Sequence, residues 1–186
     1  MLLRDIWCDE QSCRPALLKD ATGWATAVAA AQLEALAKGL DDNGLLRGVS
    51  HLLTGYIGST SFLRAVCAVH RLLKAQNPHV AFVCDPVLGD HGKLYVPEAL
   101  VECYRDQVVP LATVLTPNQF ECELLTGVRI LSRDDAMRAS DVLHGKGVRT
   151  VVITSIEYGK DGSSTRADDG VAEIKEEGGC FRSGCK

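Results

Sequence analysis

Asp85 and Asp90 flank Pro86 and Gly89 in the stretch CDPVLGD, directly after the apolar run HVAFV. Two carboxylates so close to the end of a strand are suited to holding Mg²⁺, directly or through water, against the phosphates of a nucleotide. Pro86 keeps Asp85 out of the helical region, so extended backbone persists up to the carboxylate. Gly89 permits a tight turn that returns Asp90. The same residue types also make an ordinary Asp-Pro turn with Asp90 in solvent.

Three further stretches could do chemistry. TPNQFECELLTG starts at Thr116. Thr116 as helix N-cap, Pro117 at the first helical position and Gln119 at the third form a helix-start signature. Asn118 and Glu121 are left over. They are expected in an exposed first turn, where a helix N-terminus favours an anion or a metal-bound phosphate. VVITS ends in Thr154 and Ser155, whose hydroxyls could bond phosphates or satisfy turn backbone. LTGYIG places Tyr56 where it could cover an aromatic ligand or pack as a rim residue. Neither a G-x-x-x-x-G-K-[ST] loop nor G-x-G-x-x-G is present, so a nucleotide must bind in another way.

These residues need elements to position them. Four apolar runs, VSHLLTG from Val49, HVAFVCD from His79, ATVLTPN from Ala112 and RTVVITS from Arg149, recur at the spacing of a βα unit. Their continuity predicts strands buried on both faces of a parallel sheet. Helical stripes fill the gaps: Leu33, Leu36 and Leu40; Phe62, Val66, Val69 and Leu73; Leu100, Val101, Tyr104 and Val108 after Pro97; Ala136, Ala139 and Leu143. Ser132 and Asp135 mark a helix start, and Gly145 and Gly147 its stop. The expected fold class is α/β, and in such a sheet ligands gather outside the carboxyl ends of the strands, where Asp85 sits.

The chain has 186 residues and a net charge of −4, which gives no general attraction to nucleic acid or to anionic membranes. No run is long and apolar enough to span a bilayer, and the first residues do not read as a signal peptide. Of the eight cysteines, Cys67, Cys84, Cys103 and Cys122 fall in apolar patterns and are expected as buried thiols of a reduced, cytoplasmic protein. Cys8 with Cys13 and Cys180 with Cys185 could frame a zinc site by spacing, but unpaired thiols are the preferred reading. From Gly159 onward the chain is acidic, rich in glycine and serine and poor in large apolar residues, which predicts a weakly ordered tail.

Taken in order, LLTGYIG, QNPHVAFVCDPVLGDHGKLYVPEAL, YRDQVVPLATVLTPNQFECELLTG and VVITS closely resemble pyridoxal kinase, a ribokinase-like enzyme. The resemblance runs from about Val49 to Ser155 and extends back towards Gln32. It implies ATP-dependent phosphorylation of the 5′-hydroxymethyl group of pyridoxal, pyridoxine or pyridoxamine. It also implies a mostly parallel sheet with flanking helices, and a homodimer. By motif, Asp85 and Asp90 would lie by the ATP phosphates and Mg²⁺, and Thr116 and Thr154 would hold a monovalent cation. Asn118, Glu121, Thr154 and Ser155 would line the nucleotide side with Asp85, Glu121 acting through water on the metal. Tyr56 would lie near the vitamin ring, and Thr22 in ATGW would match a substrate-side threonine.

The family's Gly-x-Gly-Asp segment, which carries its general base, has no counterpart in these residues, nor has its first strand with Ser-His-Val. The resemblance therefore implies an incomplete domain: a non-matching segment over 1–20, a partial kinase-like domain over 21–158 and a tail over 159–186. No catalytic residue is assigned. The expected function is that of a pyridoxal kinase-like protein impaired as this chain. A non-catalytic nucleotide-binding or dimerising remnant, or a hydroxymethylpyrimidine-type kinase, are the alternatives.

Overall fold

The computed structural model describes residues 23–156, 172–176 and 182–184. In chain order the elements begin with α1 (Gly23–Asp42), β1 (His51–Thr54), α2 (Thr60–Gln76), β2 (Ala81–Cys84), β3 (Gly89–Asp90), β4 (Lys93–Leu94) and α3 (Glu98–Cys103). They continue with β5 (Val114–Leu115), α4 (Gln119–Thr126), α5 (Arg133–Gly145), β6 (Thr150–Ile153), β7 (Ala172–Glu176) and β8 (Arg182–Gly184). One sheet runs β1-β2-β5-β6-β7-β8, and β3 and β4 form a separate hairpin. The first four strands are parallel, with helices in every crossover, as parallel pairing requires. The α/β class and the mostly parallel sheet expected from the four apolar runs are both present.

The core lies between the sheet and its helices. Phe82, Cys84, Leu115, Val151 and Ile153 from the strands meet Leu63, Leu100, Leu125 and Leu143 from the helices, all fully or almost fully buried. Ser59 caps α2 by accepting the Phe62 amide at 3.3 Å, and Ser132 caps α5 by accepting the Asp135 amide at 3.3 Å. Gly147, at φ 105°, takes the left-handed turn after α5. The four thiols expected inside are free and buried. Burial pushes Cys84 and Cys122 up to about 12, so both are unreactive there.

Three expectations change. The leucine stripe of α1 does not all face inward: Leu36 is 67% and Leu40 44% exposed, while Ala37 is buried and Leu33 packs on the core. Leu33 and Ala37 stand four apart on one side of the helix and Leu36 falls on its flank, while Leu40, nearly in line with Leu33, lies in the last turn. The run VSHLLTG is not buried on both faces: among the described residues β1 lies at the sheet edge, and Leu53 is 66% exposed. Within the stretch read as a tail, β7 pairs antiparallel with β6, and β8 with β7. The alternation AEIKE is a strand signal, weak beside the surrounding acidic and glycine-rich sequence.

The turn after β2 also differs in detail. The reversal occurs at His91 (φ 47°) and Gly92 (φ 76°), a two-residue hairpin loop. Gly89 sits in the strand, and its role is close approach. A Cβ there would lie 2.2 Å from the Lys93 carbonyl oxygen and 2.9 Å from the Phe120 ring. Gly89→Ala is therefore expected to destabilise by about 1–3 kcal/mol, the usual range for an overpacked site. Chemical denaturation checks this, and an unchanged midpoint would show that the hairpin has room to shift.

Candidate functional site

The carboxyl ends of the four parallel strands are tied to one another by backbone hydrogen bonds. The Asp85 amide donates to the Thr54 carbonyl at 3.0 Å, and the Thr116 amide to the Cys84 carbonyl at 3.0 Å. The Thr154 amide donates to the Pro117 carbonyl at 2.9 Å, and the Gln119 amide to the Ser155 carbonyl at 3.0 Å. Asp85, Thr116, Asn118, Thr154 and Ser155 thus lie along one edge of the sheet. Tyr56 follows β1 at the same edge. It is 59% exposed and borders an apolar hollow of about 270 Å³ with Leu53, Ile57 and Phe62. Thr22 and the cysteines 8, 13, 180 and 185 lie outside the described residues.

Helix α4 starts two residues later than the TPNQ signature predicts. Asn118, not Thr116, is the N-cap, and it forms a full capping box with Glu121. Asn118 Oδ1 accepts the Glu121 amide at 2.8 Å, and Glu121 Oε2 accepts the Asn118 amide at 2.9 Å. The expectation of an exposed first turn also fails for Glu121, which is 4% exposed. Its Oε1 accepts the Leu88 amide at 2.9 Å and the Gly89 amide at 3.4 Å, while Asn118 Nδ2 donates to the Gly89 carbonyl at 2.8 Å. The two side chains therefore clamp the start of α4 to the β3–β4 hairpin that carries Asp90. Burial raises the Glu121 carboxyl above its ordinary range, opposed by the three backbone donors.

Asp85 is half-buried, and burial raises its carboxyl as well. No donor among the described residues bonds its side chain. A desolvated carboxylate in that position gains most from a cation, so its chemistry fits Mg²⁺ or a phosphate-bound metal. Asp90 is more open: its Oδ1 accepts the His91 amide at 2.8 Å, and its Oδ2 lies 3.5 Å from His91 Nε2. Among the described residues the Thr116 and Thr154 hydroxyls make only long contacts of 3.5 Å, to the Cys84 and Pro117 carbonyls. Thr154 and Ser155 are exposed. Among the described residues, no group of three or more His, Cys, Asp or Glu side chains is placed to hold a metal without other ligands. The Leu88 and Gly89 amides that Glu121 recruits carried no sequence signal, since main-chain donors have none.

Residues 12–178 match the phosphomethylpyrimidine kinase family. The chain belongs to that family. Among its curated relatives, pyridoxal kinase from Arabidopsis thaliana is 56% identical over 128 residues, covering 69% of this chain and 41% of the relative. Pyridoxal kinase from Sus scrofa is 48% identical over 153 residues, covering 75% of this chain and 47% of the relative. The chain thus spans less than half the length of these family members. Among solved structures, pyridoxal kinase from Leishmania donovani in complex with ADP and pyridoxamine superposes with a TM-score of 0.72 at 29% identity, covering 83% of this chain and 54% of that one. The fold is the ribokinase-like fold of these kinases. No helix among the described residues is long and apolar enough to cross a membrane.

Proposed function

We propose that this chain supplies the nucleotide and cation side of a pyridoxal kinase, a phosphotransferase that moves the γ-phosphoryl group of ATP to the 5′-hydroxymethyl group of a vitamin B6 vitamer. The observation that carries the proposal is the gathering of Asp85, Thr116 and Thr154 on one strand-end edge, with Asp85 left desolvated and without a described donor. The Leishmania donovani kinase is in complex with ADP and pyridoxamine, which supports a nucleotide and a vitamer as ligands. In this reading Asp85 and Asp90 face Mg²⁺ and the phosphates, Thr116 and Thr154 a monovalent cation, and Asn118 and Ser155 the nucleotide. Glu121 holds the Leu88–Gly89 backbone in register and acts on the metal through water. Tyr56 borders the vitamer side. Bound Mg²⁺ neutralises phosphate charge; the protein's share is positioning and electrostatic stabilisation. Four buried free thiols support a reducing compartment such as the cytoplasm, and the family resemblance supports a homodimer.

A second reading is nucleotide binding without turnover, favoured because the residues hold no Gly-x-Gly-Asp stretch for a general base. One set of measurements tests both. Mg-ATP should raise the melting temperature of the purified 186-residue chain saturably. With a non-hydrolysable ATP analogue present, calorimetry should detect pyridoxal in preference to hydroxymethylpyrimidine. Phosphate-ester formation from pyridoxal should stay far below that of a relative carrying the motif. Preference for hydroxymethylpyrimidine would overturn the substrate assignment. Full turnover would overturn the reading of a chain without its general base.

A further inference from the structure

At the amino end of the sheet, opposite Asp85, a hollow of about 550 Å³ is lined by His70, Arg71 and Lys74 of α2, Thr113 just before β5 and Arg149 just before β6. Two guanidinium groups and an ammonium border it, and no carboxylate is among its lining residues. Such a concentration of positive charge stands out in a chain of net charge −4. His70 is 3% exposed, and neither ring nitrogen has a hydrogen-bond partner among the described residues. Its ring leans on Phe82, with centroids 5.2 Å apart and planes at 33°. A ring that only filled core volume would not require an imidazole, and a buried N–H without an acceptor is unfavourable.

The surrounding frame is fixed by main chain. The Thr113 carbonyl accepts the Arg149 amide at 3.1 Å and the Thr150 amide at 3.0 Å. The Thr113 hydroxyl accepts the Phe82 amide at 3.0 Å, which leaves its own proton to donate. Burial, then Lys74 and Arg71, lower the His70 imidazole, as expected of a ring held among cations with no anion beside it.

We infer that this hollow binds a phosphate group, free or as a small ester, with Arg71, Lys74 and Arg149 supplying charge, the Thr113 hydroxyl donating a hydrogen bond and the buried His70 ring lying in the wall beside it. Guanidinium forks suit phosphate oxygens, and an anion in the hollow would change the electrostatic environment of the imidazole in its wall. The site is separate from the strand-end edge and does not depend on the function proposed for it.

The test uses the full 186-residue chain at fixed pH, following the His70 ring nitrogens by NMR after assigning them through bonds. Inorganic phosphate is the first probe, glycerol phosphate the second, and sodium chloride at matched ionic strength the control. A saturable shift with phosphate or its ester, absent with chloride, is expected. Arg71→Gln and Arg149→Gln replace exposed side chains, so both variants should fold, and each should weaken binding about tenfold or more. Saturation by both probes assigns the site to the phosphate group itself, and saturation by the ester alone to phosphate esters. No shift, a shift that merely tracks ionic strength, or equal binding by both variants would overturn the inference.

Discussion

Glu121→Leu should lower stability by about 3 kcal/mol or more, because it leaves the Leu88, Gly89 and Asn118 amides without their acceptor. Each buried, unsatisfied donor costs about 1–3 kcal/mol, and the three losses will not add fully because they share one side chain. At about 2–4 °C per kcal/mol for a chain of this size, the melting temperature should fall by roughly 10 °C. Glu121→Gln should lose less, since its carbonyl oxygen still accepts on one side while its NH₂ faces a donor on the other. The order Glu, Gln, Leu is the informative outcome. If Leu and Gln were equally mild, the clamp between α4 and the 88–89 backbone would not contribute as described. A loss of Mg-ATP affinity in Glu121→Gln exceeding its loss of stability would favour the water-mediated role.

Asp85→Asn should act in the opposite sense on stability and strongly on binding. Burial raises the folded-state pKa of Asp85, so the folded chain holds this proton more firmly than the unfolded chain. Stability contributed through this group therefore falls as pH rises from the ordinary aspartate value through the raised folded value. Above that window the charged carboxylate is a standing liability until a cation joins it. Without ligand at neutral pH, the asparagine variant should melt higher than the parent, with the difference closing as the pH drops below the ordinary aspartate range. With Mg-ATP the order should reverse, because removing a carboxylate that orients a bound metal typically weakens the complex about 10- to 100-fold. Calorimetric titration with Mg-ATP and melting curves at several pH values check both halves. Parental Mg-ATP affinity in the variant would place the cation elsewhere.

Local regularities were legible in the chain itself. Four apolar runs at βα spacing specify four strands, because pleat and helix periodicity are properties of neighbouring residues. The Asp-Pro and Thr-Pro pairs mark strand ends for the same reason, and the parallel sheet brings those ends to one edge. The remainder was set by packing between distant segments. Asn118 and Glu121 look surplus to a cap read from TPNQ, yet they form the cap and hold Gly89, some thirty residues away in the chain. Nothing local distinguishes an acceptor that will meet main-chain amides, since every residue but proline carries the same donor. Leu53 and Leu36 carry the pattern of buried residues, but exposure at a sheet edge or helix flank depends on which element arrives beside them. The basic hollow at the other end is likewise assembled from residues in α2 and before β5 and β6, whose separation in sequence hides them from any window. Folding brought them together, and it left His70 buried with no hydrogen-bond partner among the described residues.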